Sequence, residues 1–245
     1  MKYREIEPNG FLNNFVKCFW FYETTNTEVQ HTILPDGYFD LIAEFENEIL
    51  TNVKLTGIWT KPKDIKIPKN TKFFAIRFKL LAIEYIFQKE IKSILDSTVS
   101  LPFLFWSIEK YKSDEFEKFA SEISNNLETS IKHLKQMDGR KLKLFDFVYE
   151  QNIKTVAEIS KKIFWSSRQI NRYFQTRFGI TLKEFLNIVR CNATYEEISN
   201  GNLNPHSDYF DQPHFIKEIK RYTGVTPKEL NQNKDDRFLQ LSKMD

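Results

Sequence analysis

The sequence predicts an α+β chain: a β-rich, barrel-like amino-terminal domain with helices over residues 1–138, then an all-α carboxy-terminal domain over residues 139–245. Three observations predict it. Apolar residues alternate with period two in the first third, helical periodicity takes over from Ile153, and one segment after that point returns 45 residues later. The length of 245 residues exceeds the roughly 100–200 of a single domain, and 41% hydrophobic residues with 23 Phe supply a sizeable core.

In chain order, the turn signal Leu34-Pro35-Asp36-Gly37 separates His31-Thr32-Ile33 from Tyr38-Phe39-Asp40-Leu41-Ile42, with strands expected on either side. The run Thr71 to Phe78 places Phe74, Ile76 and Phe78 on one side of an extended chain, as in a half-buried strand. Two helical stripes follow. Ile83, Ile86, Phe87, Ile91 and Ile94 form the first; Phe116, Phe119, Ala120, Ile123, Leu127 and Ile131 form the second. The second stripe suits packing on its own domain better than a dimer surface, the alternative use of an amphipathic edge helix. The polar stretch Lys135 to Lys143, with Gly139 inside it, reads as the linker.

Beyond the linker, Thr155-Val156-Ala157-Glu158 is a capping box in which hydroxyl and carboxylate each satisfy an exposed amide at a helix start. After Phe164-Trp165, Ser166 caps a second helix with Gln169 as reciprocal partner; Ile170, Tyr173, Phe174 and Phe178 form its buried stripe and Gly179 its end. Two short helices and a tight turn make a helix-turn-helix unit. The same grammar returns with Asp211 for Ser166, Phe215 for Ile170, Lys217 for Arg172, Ile219 for Phe174 and Gly224 for Gly179, and Thr226 to Glu229 is another capping box. Between the units, Thr181 to Asn200 reads as one connecting helix of about 30 Å, close to the ~34 Å between successive major grooves on one face of B-DNA.

The face opposite the first stripe offers Arg168, Gln169, Asn171, Arg172 and Gln175, with Ser167 on the same turn. Arg pairs with guanine edges, and Asn or Gln with adenine edges. A merely solvated helix face explains such residues on most helices; the repeat is what weakens that explanation. These residues resemble the DNA-binding domain of the AraC/XylS family of transcription regulators. The resemblance is carried by Val156 to Ser160, Gln169 to Phe174, and Phe210-Asp211-Gln212-Pro213-His214-Phe215 with Lys220 to Pro227, and it covers about residues 150 to 232. It implies that the second helix of each unit enters the major groove, presenting Arg168, Asn171 and Arg172 from the first and Gln212, His214 and Lys217 from the second, with Lys220 and Arg221 beside them. One departure stands out: Pro205 and Asp208 fall where that family carries a helical run ending in glycine, so the first unit is expected to dominate sequence readout. The segment around Leu34 to Ile42, with Gly57 and Ala75 to Lys79, resembles an uncharacterised amino-terminal domain of some AraC-type regulators. By that resemblance it is a small sensor domain, in which His31, Asp36, Trp59 and Arg77 are candidate pocket residues against a turn, core or strand role.

Charge and composition bound the alternatives. Residues 1–139 hold 18 Lys and Arg against 20 Asp and Glu, net −2; residues 140–245 hold 18 against 13, net +5, a modest pointer to a polyanion partner in the second half. No apolar run reaches the ~18 residues of a membrane span, so a soluble, cytoplasmic protein is expected. Cys18 and Cys191 show no metal or redox spacing, and the four His include no ligand pair, so no cofactor and no metal are expected. Trp59 and Trp165 read as core. The expectation is a sequence-specific regulator of duplex promoter DNA, an activator rather than a repressor, and not an enzyme. RNA polymerase, a small-molecule effector and a second copy of the chain stay open as partners. The rivals are a DNA-targeted enzyme, an alkyl-transfer repair protein using a cysteine, and an interaction protein that has lost DNA binding.

Overall fold

The computed structural model describes residues 2–134, 136–149, 155–204, 209, 211–233, 236–238 and 241. Among them, strands β1 (Lys2–Ile6), β2 (Val16–Glu23), β3 (Val29–Ile33), β4 (Phe39–Glu46), β5 (Ile49–Thr56), β6 (Lys63–Ile67), β7 (Thr71–Phe78) and β8 (Thr98–Leu101) precede the helices. The helices are α1 (Phe116–Lys132), α2 (Gly139–Tyr149), α3 (Val156–Ile163), α4 (Ser167–Phe178), α5 (Leu182–Ala193), α6 (Tyr195–Ser199), α7 (Gln212–Thr223) and α8 (Pro227–Gln232). The chain is thus β-rich first and helical afterwards.

Six strands pair antiparallel in the order β1-β2-β7-β4-β5-β8, while β3 pairs with β6. Side chains alternate across the sheet except at register shifts between Val16 and Cys18 of β2 and between Glu44 and Phe45 of β4. Phe19 and Phe21 of β2 and Phe74, Ile76 and Phe78 of β7 enter the main core under α1, whose Phe116 and Phe119 stack against them. Cys18, Trp20 and Tyr22 of β2 and Phe73 and Ala75 of β7 enter a second cluster, covered by Val29, Ile65 and Ile67 of the β3–β6 pair. Both faces are buried, which explains why β7 carries aromatic residues at consecutive positions. The β-rich, barrel-like part is present in an open form: β3 and β6 cover a face instead of joining the edges β1 and β8, and no closed barrel forms among the described residues. Helix α1 buries its stripe on its own sheet.

Two expected helices take another form. Residues 83–94 break into a π turn, Ile83–Phe87, and a 3-10 turn, Lys92–Ile94, because Gln88 is left-handed and the Ile91 N–H donates to the Arg177 carbonyl of α4 instead of continuing a helix. The connecting helix divides at Thr194, whose hydroxyl and N–H both take the Cys191 carbonyl, so α5 and α6 replace one straight rod. Part of the expected linker is also helical: α2 begins at Gly139 and buries Leu144, Phe145 and Val148, while Lys135 lies outside the described residues.

The β-rich and helical parts share a single apolar core. The turn at 34–37 is pressed under the helices. Asp36 Oδ1 accepts the Tyr38 N–H at 3.0 Å, the Gly37 carbonyl accepts the Tyr149 hydroxyl at 3.0 Å, and the Pro35 carbonyl accepts the Tyr195 hydroxyl at 3.0 Å. Gly37 sits at φ +83°, and a Cβ there would lie 2.9 Å from Val189 Cγ2 of α5. Gly37→Ala therefore adds left-handed strain to overpacking, a loss of about 2–4 kcal/mol. An unchanged urea midpoint for this variant would contradict the packing described.

At the far end, residues 236–238 return to the β-rich part. Thr32 bridges Phe238 in parallel, and the Thr32 N–H donates to the Arg237 carbonyl at 2.6 Å. Beneath this contact, the buried His31 has Nδ1 2.8 Å from the Asp236 carbonyl and Nε2 2.6 Å from the Tyr22 hydroxyl. A carbonyl only accepts, so Nδ1 carries the proton and Nε2 accepts from Tyr22. Burial pushes the His31 pKa below its ordinary 6.5, against the weaker raising effect of Asp236. The folded state therefore binds this proton less readily than the unfolded chain. The His31 contribution is complete above the ordinary value and is lost as pH falls through the lowered one. Urea midpoints between pH 7.5 and 5 are expected to fall less steeply in His31→Gln than in the wild type; parallel curves would exclude His31 as a source of the slope.

Candidate nucleic-acid interface

Helix α3 starts at a complete capping box, with the Thr155 N–H on Glu158 Oε2 at 3.1 Å and the Glu158 N–H on Thr155 Oγ1 at 3.2 Å. The chain then turns through Phe164, left-handed at φ 55° and 91% exposed, and Trp165, half-buried against Tyr173. Ser166 and Gln169 form the next box, at 3.0 and 3.3 Å. Burial of Ile170, Phe174 and Phe178, at about 1.5–3 kcal/mol each, fixes which face of α4 points inward. The caps, at about 1 kcal/mol, fix where it begins.

The outward face of α4 carries Arg168, Gln169, Arg172 and Gln175, all exposed, with Ser167 half-exposed. Two expected contacts are reduced. The Gln169 side-chain oxygen is held in the cap, leaving its amide nitrogen outward. Asn171 turns inward: its Oδ1 accepts the Leu182 N–H at 3.2 Å and pins the start of α5, so its acceptor is withdrawn from any groove.

The second unit repeats the plan. Asp211 accepts the His214 N–H at 2.8 Å, Phe215, Ile219 and Tyr222 are buried, Gly224 ends α7 at φ +78°, and Thr226 with Glu229 caps α8. Gln212, His214, Lys217, Lys220 and Arg221 are exposed. The His214 ring lies 5.8 Å from that of Tyr209, and Arg221 pairs with Glu218 at 3.9 Å while covering Tyr222. Among the described residues, Arg168, Arg172, Lys217 and Lys220 make no ion pair. Pro205 and Asp208 lie outside the described residues.

The glycines that end α4 and α7 both lie near the β-rich part. Gly179, ending α4, abuts Lys92 and Leu95; Gly224, ending α7, faces Pro62. A carboxylate that the sequence reading missed reinforces the first contact. Glu84, on the π turn, takes Lys141 of α2 and, both at 3.4 Å, Arg177 and the Tyr173 hydroxyl of α4. Tyr149, Tyr195 and the 236–238 segment were missed for the same reason, since each acts across more than a hundred residues of chain.

Of the four candidate pocket residues, the structure brings two together. Arg77 lies 3.6 Å from Asp36 and 3.1 Å from Asp40, in a cleft of about 860 Å³ between the β-rich and helical parts. Burial disfavours the Arg77 cation, but the Asp40 and Asp36 carboxylates outweigh it and keep the guanidinium protonated well above its ordinary range. His31 sits under the 236–238 segment, and Trp59 is buried in neither place. Among the described residues no cluster of metal-ligating side chains occurs, and no helix is long and apolar enough to cross a membrane.

Comparison with known proteins gives the following. A family model described as a domain of unknown function (DUF6597) matches residues 4–100. No curated protein matches the sequence. Solved structures of ToxT from Vibrio cholerae are similar at low identity. ToxT of strain O395 bound to (E)-4-(8-methylnaphthalen-1-yl)but-3-enoic acid is 10% identical, with 98% of each chain covered and a TM-score of 0.43. An apo, alanine-substituted ToxT of strain SCE256 is 11% identical, covering 91% of this chain and 98% of that one, with a TM-score of 0.42. Wild-type ToxT of strain SCE256 bound to an unsaturated fatty acid is 10% identical, covering 87% and 93%, with a TM-score of 0.40.

Because Ser166 supplies the N-cap of α4, Ser166→Ala is expected to cost about 1 kcal/mol of stability. Faster amide exchange confined to the first turn of α4 is the matching local signature, and no change at that turn would mean the cap is idle.

Proposed function

We propose that the chain is a transcription regulator whose helices α4 and α7 enter adjacent major grooves of duplex promoter DNA, acting as an activator through RNA polymerase under the control of an effector bound by the β-rich part. The observation that carries this reading is the paired geometry of the two units. Two helices, each capped at an N-terminus by Ser166 or Asp211 and ended by a left-handed glycine, turn buried stripes inward and, outward, cations that make no ion pair among the described residues. A solvated helix face gains little from unpaired cations, whereas phosphates and guanine edges reward them. An α-helix fits the major groove of DNA and not the deep, narrow groove of A-form RNA.

The alkyl-transfer rival needs an accessible thiolate. Cys18 and Cys191 are both buried, and burial pushes the Cys191 thiol up to about 12, so neither is placed to act as a nucleophile. That supports a non-enzymatic role for the chain.

Selection from a random duplex library tests the proposal. The wild type is expected to enrich two boxes about one helical turn (~10.5 base pairs) apart, and the Arg168→Ala, Arg172→Ala double variant to lose one of them. Removing two phosphate or base contacts also lowers the salt slope of binding by up to about 2. Equal affinity for all sequences at moderate salt, or enrichment untouched by the double variant, would overturn the assignment.

A further inference from the structure

We propose that a groove of about 420 Å³ on the β-rich part, between the π turn at 83–87, the turn at 105–107 and α1, binds a small, flat, uncharged aromatic molecule, and that Glu84 passes its occupancy to α4. The proposal deepens the regulator reading by naming the effector class and its site, and rests on that reading only for the consequence on DNA.

The lining selects the ligand. Ile123 and Leu127 of α1 form an apolar floor, Tyr85 and Trp106 supply ring walls, and Gln88 and Asn126 offer uncharged amides at the rim. No Asp, Glu, Lys, Arg or His lines this groove. Three other clefts each present both signs of charge: Arg77 with Asp36, Lys72 with Glu23, and Lys66 with Asp64. An ion entering the uncharged groove sheds hydration with no counter-charge in return, so a neutral ligand is favoured. The volume falls within the ~300–1,000 Å³ of small-molecule sites and is too small for a protein segment of several turns.

The walls are held in place in advance. Trp106 is clamped between Phe105, at 5.0 Å, and Phe87, at 5.4 Å between ring centroids. Gln88, Trp106 and Ser107 all border the groove with left-handed backbones, at φ 52°, 52° and 55°. Three such residues at one groove are conformations that L side chains adopt only under constraint from their surroundings.

The π turn gives the groove a route to α4. Tyr85 and Ile86 face the groove, and directly before Tyr85 in sequence stands Glu84, whose carboxylate holds Lys141, Arg177 and Tyr173. A π turn holds one residue more than an α turn, so its conversion rotates successive side chains by roughly 100° about the axis. A ligand pressing on Tyr85 and Ile86 favours one of these two arrangements, and Glu84 moves with them. The Asp138 N–H, which donates to the Tyr85 hydroxyl at 2.8 Å, ties the start of α2 to the same element.

The test uses the full chain and two probes of like shape, neutral 1-aminoanthracene and anionic anthracene-1-carboxylate. The amine is expected to bind saturably, one per chain, at least about ten-fold more tightly than the carboxylate. Ser130→Trp and Asn126→Trp, both exposed rim positions, are expected to weaken it about ten-fold while circular dichroism and thermal unfolding stay as in the wild type. Amide exchange across residues 167–178 is expected to change on binding in the wild type and to stay unchanged in Glu84→Gln, which still binds the amine. Equal affinity for both probes, indifference to both rim substitutions, or displacement of the amine when the chain self-associates would overturn the site; the last would make the groove a contact between copies. Exchange in α4 that ignores the bound amine would overturn the coupling. None of these readouts involves DNA, so the site and the regulator reading fail separately.

Discussion

The carbonyls of Pro35 and Gly37 leave the sheets and are buried beneath the helices. A buried carbonyl without a donor costs about 1–3 kcal/mol, so the fold requires two hydroxyls at this point. Tyr195 and Tyr149 supply them from α6 and α2. Their placement is demanding: Tyr149 also accepts the Leu80 N–H beyond β7, and burial raises the pKa of both phenols well above the ordinary value, keeping their protons in place as donors. Gly37 completes the arrangement by letting Phe185 and Val189 come close to the turn. With this turn docked, the helical part has one orientation on the sheet.

Several features that look unrelated follow from that orientation. Because α5 is seated at Gly37, α4 lies along the segment 91–95, and the Ile91 N–H finds the Arg177 carbonyl there. The same seating directs the Gly224 corner to Pro62 and brings residues 236–238 over β3. The two helix-turn-helix units therefore approach the β-rich part at these glycines and not by the faces that carry Arg168, Arg172 and Lys217.

What the sequence revealed and what it concealed divide along the same line. Capping boxes, the period-two alternation of β7 and the stripe of α1 are set by residues within a few positions of one another, and each was legible. The segment 83–94 misled because its apolar spacing is helical while Gln88 is left-handed and the Ile91 N–H goes to α4, a partner some ninety residues away. The break at Thr194 was hidden because the residue is helical in conformation and departs only in where its hydroxyl and N–H point. At the candidate interface, residue types indicated which side chains were polar but not which were already engaged. Gln169 and Asn171 both carry amides, and both spend an oxygen on a neighbouring backbone. The strand order stayed hidden for a related reason, since it is fixed by long-range pairing and alternation does not encode it.

The cations on α4 differ in what they touch. Arg168, Arg172 and Arg177 lie on one helix, but only Arg177, nearest its carboxyl end, reaches back to Glu84. A partly buried carboxylate holding two cations and a hydroxyl is hard to leave half-satisfied, so displacement of Glu84 has to be answered by movement of Arg177, Lys141 or both. Helix α4 is twelve residues long, with Arg177 near its carboxyl end and Arg168 in its first turn. The cation nearest the β-rich part thus ties the helix to it, and the two beyond it stay exposed.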